Sequence, residues 1–177
     1  LILASLRVDR VIEWASRCAR SVCVRALAPI LPFAYARSNR FDREESFDQF
    51  LFFFDKVSEA IGRALKTNKS LTHLSLHGNG MGVEGSVNFA KGLAGNHILK
   101  RLDISLNHLK DEGTVNIAAA LELGAQLESL NLSHNAIGTR GTMRLAQAIS
   151  SGNLFIRSLD LSTNALGGKA ANLLGEV

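Results

Sequence analysis

Four segments of this 177-residue chain superpose on one another, and that self-similarity limits the fold more than any other feature. They read Leu71-T-H-Leu74-S-Leu76-H-G-Asn79, Leu99-K-R-Leu102-D-Ile104-S-L-Asn107, Leu127-E-S-Leu130-N-Leu132-S-H-Asn135 and Ile156-R-S-Leu159-D-Leu161-S-T-Asn164, in steps of 28, 28 and 29 residues. A fixed period in this range builds a stack of like supersecondary units, each burying its apolar face against the next. Alternation along a strand sends Leu74 and Leu76 inward and Ser75 outward. The column Asn79, Asn107, Asn135, Asn164 falls where the chain turns. A buried amide there can satisfy backbone groups that the turn leaves unpaired.

The second half of each unit has helical spacing. Val87-Ala90-Leu93, Val115-Ala118-Leu121 and Met143-Ala146-Ile149 form one stripe, widened by Phe89, Ile117 and Leu145. Asp111 and Thr139 stand where an N-cap is wanted. Gly85, Gly113 and Gly141 share one column, with Ala170 in the fourth unit, where a small residue allows close packing. Shifting by one period aligns Asp55 with the cap column and Ile61 and Leu65 with Phe89 and Leu93. Residues 55–67 thus read as a repeat helix whose own strand is missing or degenerate. The expected fold is an α/β solenoid, a horseshoe with a parallel concave sheet and convex helices. Its parts are a basic segment at 1–45, a capping region and half-repeat at 46–70, and repeats at 71–98, 99–126, 127–155 and 156–177, the last truncated inside its helix. Phe47, Phe50, Leu51 and Phe54 are expected to cover the open core of the first unit.

These columns resemble the leucine-rich repeat of the ribonuclease-inhibitor-like class. Residues 65–76, Leu-Lys-Thr-Asn-Lys-Ser-Leu-Thr-His-Leu-Ser-Leu, are similar to repeats of NACHT-domain immune receptors. The resemblance covers about residues 55–177. It implies a scaffold or sensor that binds a protein partner on its concave wall and adjacent loops, with no catalysis and a cytoplasmic location. A GTPase-activating family directed at Ran uses similar repeats and forms the alternative. That family's long acidic tail is absent from these residues, and no catalytic residue carries over.

Charge is placed unevenly. Residues 1–40 hold seven Arg and two acids, whereas 41–177 hold 13 Lys/Arg and 14 acids. The repeats are nearly neutral, which argues against a nucleic-acid partner. No apolar run is long enough to span a membrane. Cys18 and Cys23 do not make a disulfide scaffold. The sequons Asn68-Lys-Ser70 and Asn131-Leu-Ser133 read as chance matches.

Residues 6–27 can form an amphipathic helix, with Val8, Val11, Ala15, Cys18 and Val22 on one face and Arg10, Glu13, Arg17 and Arg20 on the other, ended by Pro29 and Pro32. Such a segment resembles a transit peptide or a membrane-surface helix. It equally suits a stretch with no function of its own or part of another domain. Charges break every candidate secretory core.

Motifs for chemistry are few. Gly80-M-Gly82-V-E-Gly85 matches a dinucleotide-binding pattern, with Asp103 near the ribose-binding position. Only Gly85 recurs in the equivalent loops, and a short repeat strand lacks the depth of a dinucleotide fold. His73 and His77 lie roughly 13 Å apart along a strand, too far to share one metal ion. His97, His108 and His134 read as solvated loop residues. Asp103, Ser105 and Ser133 have no histidine expected beside them, so no catalytic triad forms. No catalytic residue, metal, cofactor or small-molecule substrate is expected.

The remaining surface is the concave wall. Its outward columns are His73, Arg101, Ser129, Ser158; then Ser75, Asp103, Asn131, Asp160; then His77, Ser105, Ser133, Ser162. Lys110, Glu112, Arg140 and Lys169 flank them in the loops. These twelve column residues are the candidate partner-binding set, with Arg101 the strongest anchor by residue type.

Overall fold

A computed structural model of the chain describes residues 21–23, 46–151, 155–168, 170 and 172, and the side chains of 21–23 and 46–56 lie outside that description. Five strands, β1 (Ser21–Cys23), β2 (His73–Ser75), β3 (Arg101–Asp103), β4 (Ser129–Asn131) and β5 (Ser158–Asp160), form one sheet in chain order. All neighbours are parallel. Between and before them run helices α1 (Ser46–Thr67), α2 (Gly82–Leu93), α3 (Lys110–Glu122) and α4 (Thr139–Ser150). Gly168, Ala170 and Asn172 are helical as well. The chain is a stack in which each strand is followed by its own helix, as the period requires.

Register follows the repeat. Leu74 pairs with Leu102, Leu102 with Leu130, and Leu130 with Leu159. The one-residue excess of the last step falls between α4 and β5 and leaves the pairing unchanged. The core lies between sheet and helices: Leu74, Leu76, Leu102, Ile104, Leu130 and Leu132 from the strand side meet Phe89, Leu93, Ile117, Leu121 and Leu145 from the helix side, all buried. Each such side chain contributes about 1.5–3 kcal/mol by leaving water. Ile61 and Leu65 of α1 join this core, as the half-repeat alignment anticipates.

The helix stripe is rotated from the expected one. Val87 and Val115 are only half-buried and Met143 is exposed, while Gly92, Ala120 and Ala148 are buried instead. Small residues on this second column let neighbouring helices touch. At Gly92 a Cβ would lie 2.0 Å from the carbonyl oxygen of Gly62, so α1 and α2 meet backbone to backbone.

The cap assignment also shifts. Asp111 lies inside α3 and Thr139 opens α4; neither is the N-cap of its own helix. Asp111 reaches across to the next unit, where its Oδ1 accepts the N–H groups of Gly138 at 2.7 Å and Gly141 at 2.9 Å. The first turn of α4 is thus capped from the preceding repeat.

β1 was not anticipated. Ser21–Cys23 belongs to the stretch with helical spacing, yet it pairs with β2 nearly two repeat lengths downstream. The open edge of β2 offers a ladder of hydrogen bonds to a short Val-containing strand, and tertiary pairing overrides the local pattern. The rest of the proposed helix at 6–27 and the prolines after it lie outside the described residues, as do the side chains of Phe47, Phe50, Leu51 and Phe54.

Candidate functional site

The concave wall takes its shape from a ladder of asparagine amides. Asn107 Oδ1 accepts the N–H groups of Asn79 (3.2 Å) and Met81 (3.1 Å), and Asn107 Nδ2 donates to Leu76 and Ser105 carbonyls. Asn135 repeats this with Asn107 and Leu109, and Asn164 with Asn135 and Ile137. Each amide therefore ties its own turn to the unit before it. The turns are tight. Leu106, His134 and Thr163 share a left-handed φ near that of Gly78, and His108 and Ala136 share that of Gly80. Gly82 and its counterpart Lys110 are also left-handed. The glycines of the dinucleotide-like motif thus meet a backbone demand that other units meet with ordinary residues, and no phosphate need be invoked for them.

The first two outward columns are displayed as expected. Arg101, Ser158 and Asp160 are exposed, and His73, Ser75, Asp103, Ser129 and Asn131 are half-buried. The third column is not outward throughout. His77 is half-buried and Ser162 exposed, but Ser105 is 2% and Ser133 7% exposed. The strands are three residues long, so this column lies past their ends in the turn, where alternation no longer holds. Ser105 N–H and Oγ both donate to Asp103 Oδ1 (3.0 and 2.6 Å), and Ser133 does the same to Asn131 (2.9 and 2.8 Å). Ser162 N–H donates to Asp160 Oδ1 at 2.9 Å. From Asp103 onward the second column is therefore a set of turn-forming Asx side chains, whereas Ser75 donates its hydroxyl to Asp103 Oδ2. The Ser162 backbone bond, with the Ser162 hydroxyl and nearby His134, holds the Asp160 carboxyl below its ordinary range.

A histidine does stand beside Ser105, contrary to the reading of the strand face. His77 Nδ1 is 2.6 Å from Ser105 Oγ. Since the hydroxyl proton is directed to Asp103, the ring Nδ1–H is the donor. The serine sits between the histidine and the acid, and it is buried. A triad needs the ring between them, taking the serine proton. The arrangement braces the turn between two units and offers no activated nucleophile. His73 Nδ1 lies 2.8 Å from Thr72 Oγ1. The asparagines of both sequons are turn formers too: Asn68 Oδ1 accepts from Ser70 and Leu71, and Asn131 from Ser133.

Of the flanking loop residues, Arg140 approaches Glu112 at 3.7 Å, both well exposed, and Lys110 is exposed. The Lys169 side chain lies outside the described residues.

On the opposite edge, where helices return to strands, a second asparagine column closes the loops. Asn68 holds the Ser70 and Leu71 N–H groups, and Asn96 those of Ile98 and Leu99 (2.9 and 2.8 Å). Gly124, at φ +101°, replaces it in the second unit. Leu127, fully buried, then has no acceptor for its N–H among the described residues. A hollow of about 340 Å³ opens there, lined by His97, Leu121, Gly124, Gln126, Ser151 and Phe155 among others. Repeat columns alone do not mark this edge, although Gly124 breaking the Gly95-Asn96 and Gly152-Asn153 pattern is a legible signal.

Among the described residues no helix is long and apolar enough to cross a membrane. Residues 67–90, 95–118 and 126–146 match the family model described as Leucine Rich repeat. No curated protein matches the chain. The chain carries leucine-rich repeats, and its fold is an α/β leucine-rich-repeat solenoid.

Proposed function

We propose that these leucine-rich repeats form a non-catalytic interaction module that holds a protein partner on the concave strand face and the adjoining loops. The observation that carries the reading is the way the wall is built: a rigid row of polar side chains, Arg101 and Asp160 outermost, held at fixed spacing by buried asparagines. Adjacent strands stand about 4.8 Å apart, so the row presents a ruled surface that a partner can read without ordering it first. A helix in each unit and a step of 28 or 29 residues support the ribonuclease-inhibitor-like class and the likeness to NACHT-receptor repeats. No residue constellation favours the Ran-directed alternative.

The test uses Arg101→Ala combined with Asp103→Asn. Asparagine occupies the equivalent position at Asn131 and keeps the turn-forming acceptor, so charge is removed while the turn is retained. Proteins retained by the immobilised chain and lost by this variant would support the concave assignment. An identical set on both would remove it.

A further inference from the structure

The returning edge of the solenoid carries features that the concave reading does not use. A ladder of backbone bonds continues past the strand starts: Glu128 N–H donates to Lys100 O, and Arg157 N–H to Glu128 O, both at 2.8 Å. Lys100, Glu128 and Arg157 therefore form one row, about 4.8 Å apart, with exposed Lys69 in the loop before it. This edge is net basic on a nearly neutral array. Lys100 has no carboxylate within ion-pair distance among the described residues. Its ammonium lies 5.9 Å from the centre of the Phe155 ring and near the Gln126 side chain. Glu122 itself lines the hollow, and both of its carboxylate oxygens are taken by Arg144 in a two-pronged pair, so its charge is offset there.

Apolar surface meets this charge at the same place. Phe155 is 44% and Leu123 69% exposed, and the hollow of about 340 Å³ lies against Phe155 with Leu121 and Ala125 in its walls. Exposed large apolar side chains are few in the described residues, and two of the four lie on this edge, Phe155 in the return after α4 and Leu123 on the Gly124 turn after α3. The turn departs from its neighbours because Gly124 replaces the loop-closing asparagine.

We propose that this edge docks an acidic peptide segment of a partner protein, with one aromatic or leucine side chain seated in the hollow against Phe155 and flanking carboxylates on Lys100 and Arg157. A buried apolar anchor supplies the affinity, and rim charges set approach and register. The surface adjoins the first concave column but shares no residue with it, so its variants test it independently of the function proposed above.

A random heptapeptide display library selected on the immobilised chain tests it, with binding of the enriched peptides measured by fluorescence anisotropy. The expected peptides carry an aromatic or leucine residue flanked by Asp or Glu. They should bind Phe155→Ala and Lys100→Glu about tenfold more weakly, and Arg101→Ala/Asp103→Asn unchanged. Phe155 is partly exposed, so its variant retains the fold, and Leu123→Ala, between Glu122 and Gly124 of the hollow's wall in sequence, serves as a second probe checked by circular dichroism. Peptides without that pattern, or equal binding to every variant, would overturn the proposal. So would full displacement by an oligothymidylate that binds Phe155→Ala as well as the parent, since the edge would then be a bare polyanion surface.

Discussion

Removing the Asn135 amide should cost more than removing any exposed side chain of the array. Asn135 is 0% exposed, and its side chain ties two units together. Its Oδ1 accepts the N–H groups of Asn107 at 2.9 Å and Leu109 at 3.3 Å. Its Nδ2 donates to the carbonyls of Ile104, Leu132 and Ser133 at 2.9, 3.0 and 3.1 Å. Alanine would strand two buried donors, at about 1–3 kcal/mol each, whereas the carbonyls lose less because each has a second lone pair. The expected loss is about 2–5 kcal/mol, a large share of an ordinary domain's 5–15 kcal/mol. Asn79 offers an internal comparison. Its side chain makes one described bond, to His77 O at 3.2 Å, so Asn79→Ala should cost only about 1 kcal/mol. Equilibrium urea unfolding followed by circular dichroism measures both, and hydrogen exchange should show the Asn107 and Leu109 amides exposed in Asn135→Ala. Equal losses for the two variants, or protected amides at 107 and 109, would refute the ladder as the source of inter-unit stability.

Asp111→Ala should lower stability by about 1–2 kcal/mol by uncapping α4, and Asp111→Asn should recover most of it, since the Oδ1 acceptor remains; thermal melts compare the three. Leu123→Gly with Gly124→Asn restores the Gly95-Asn96 turn, gives the Leu127 N–H an acceptor, and should raise stability by about 1–2 kcal/mol in urea. Gly92→Ala puts a methyl into the Gly62 backbone and should destabilise by about 1–3 kcal/mol or more; an unchanged melt would show that α1 does not pack as described. The hydrogen-bonded pairing with Arg144 holds the Glu122 carboxyl below its usual range. A depressed folded value means its stabilisation is present above the unfolded carboxylate range, near pH 4, and is lost as pH falls through the folded value. The acid limb of stability should therefore be shallower in Glu122→Gln, modestly so because the pair is one-third exposed.

Much of this fold is readable in the residues because the period places leucines and asparagines in fixed columns: Leu74, Leu102 and Leu130 are where alternation sends them. The misreadings share a cause, namely partners that come from outside the local pattern. Asp111 looks like the cap of its own helix and caps the next one. Ser105 and Ser133 continue an alternation that the strand has already left. His77 meets Ser105 only because the following unit lies against it. β1 carries no leucine columns and reaches the sheet from nearly two repeats upstream. The returning edge is hard to read because columns are defined by what recurs, and its hollow arises where a residue fails to recur.

The asparagine bonds also fix how such an array can change length. Asn79 N–H reaches Asn107 and Asn107 N–H reaches Asn135 by the same rule, while Asn135 N–H reaches Asn164 over one residue more. Every unit is thus an interchangeable part with one plug and one socket. Excising a whole unit between two strands rejoins a plug to an identical socket, and duplicating one adds a matched pair. A change of one or two residues within a turn misaligns both. Tolerance to insertion should therefore be quantised in whole repeats, with slack only on the returning side, where the 29-residue step already shows it.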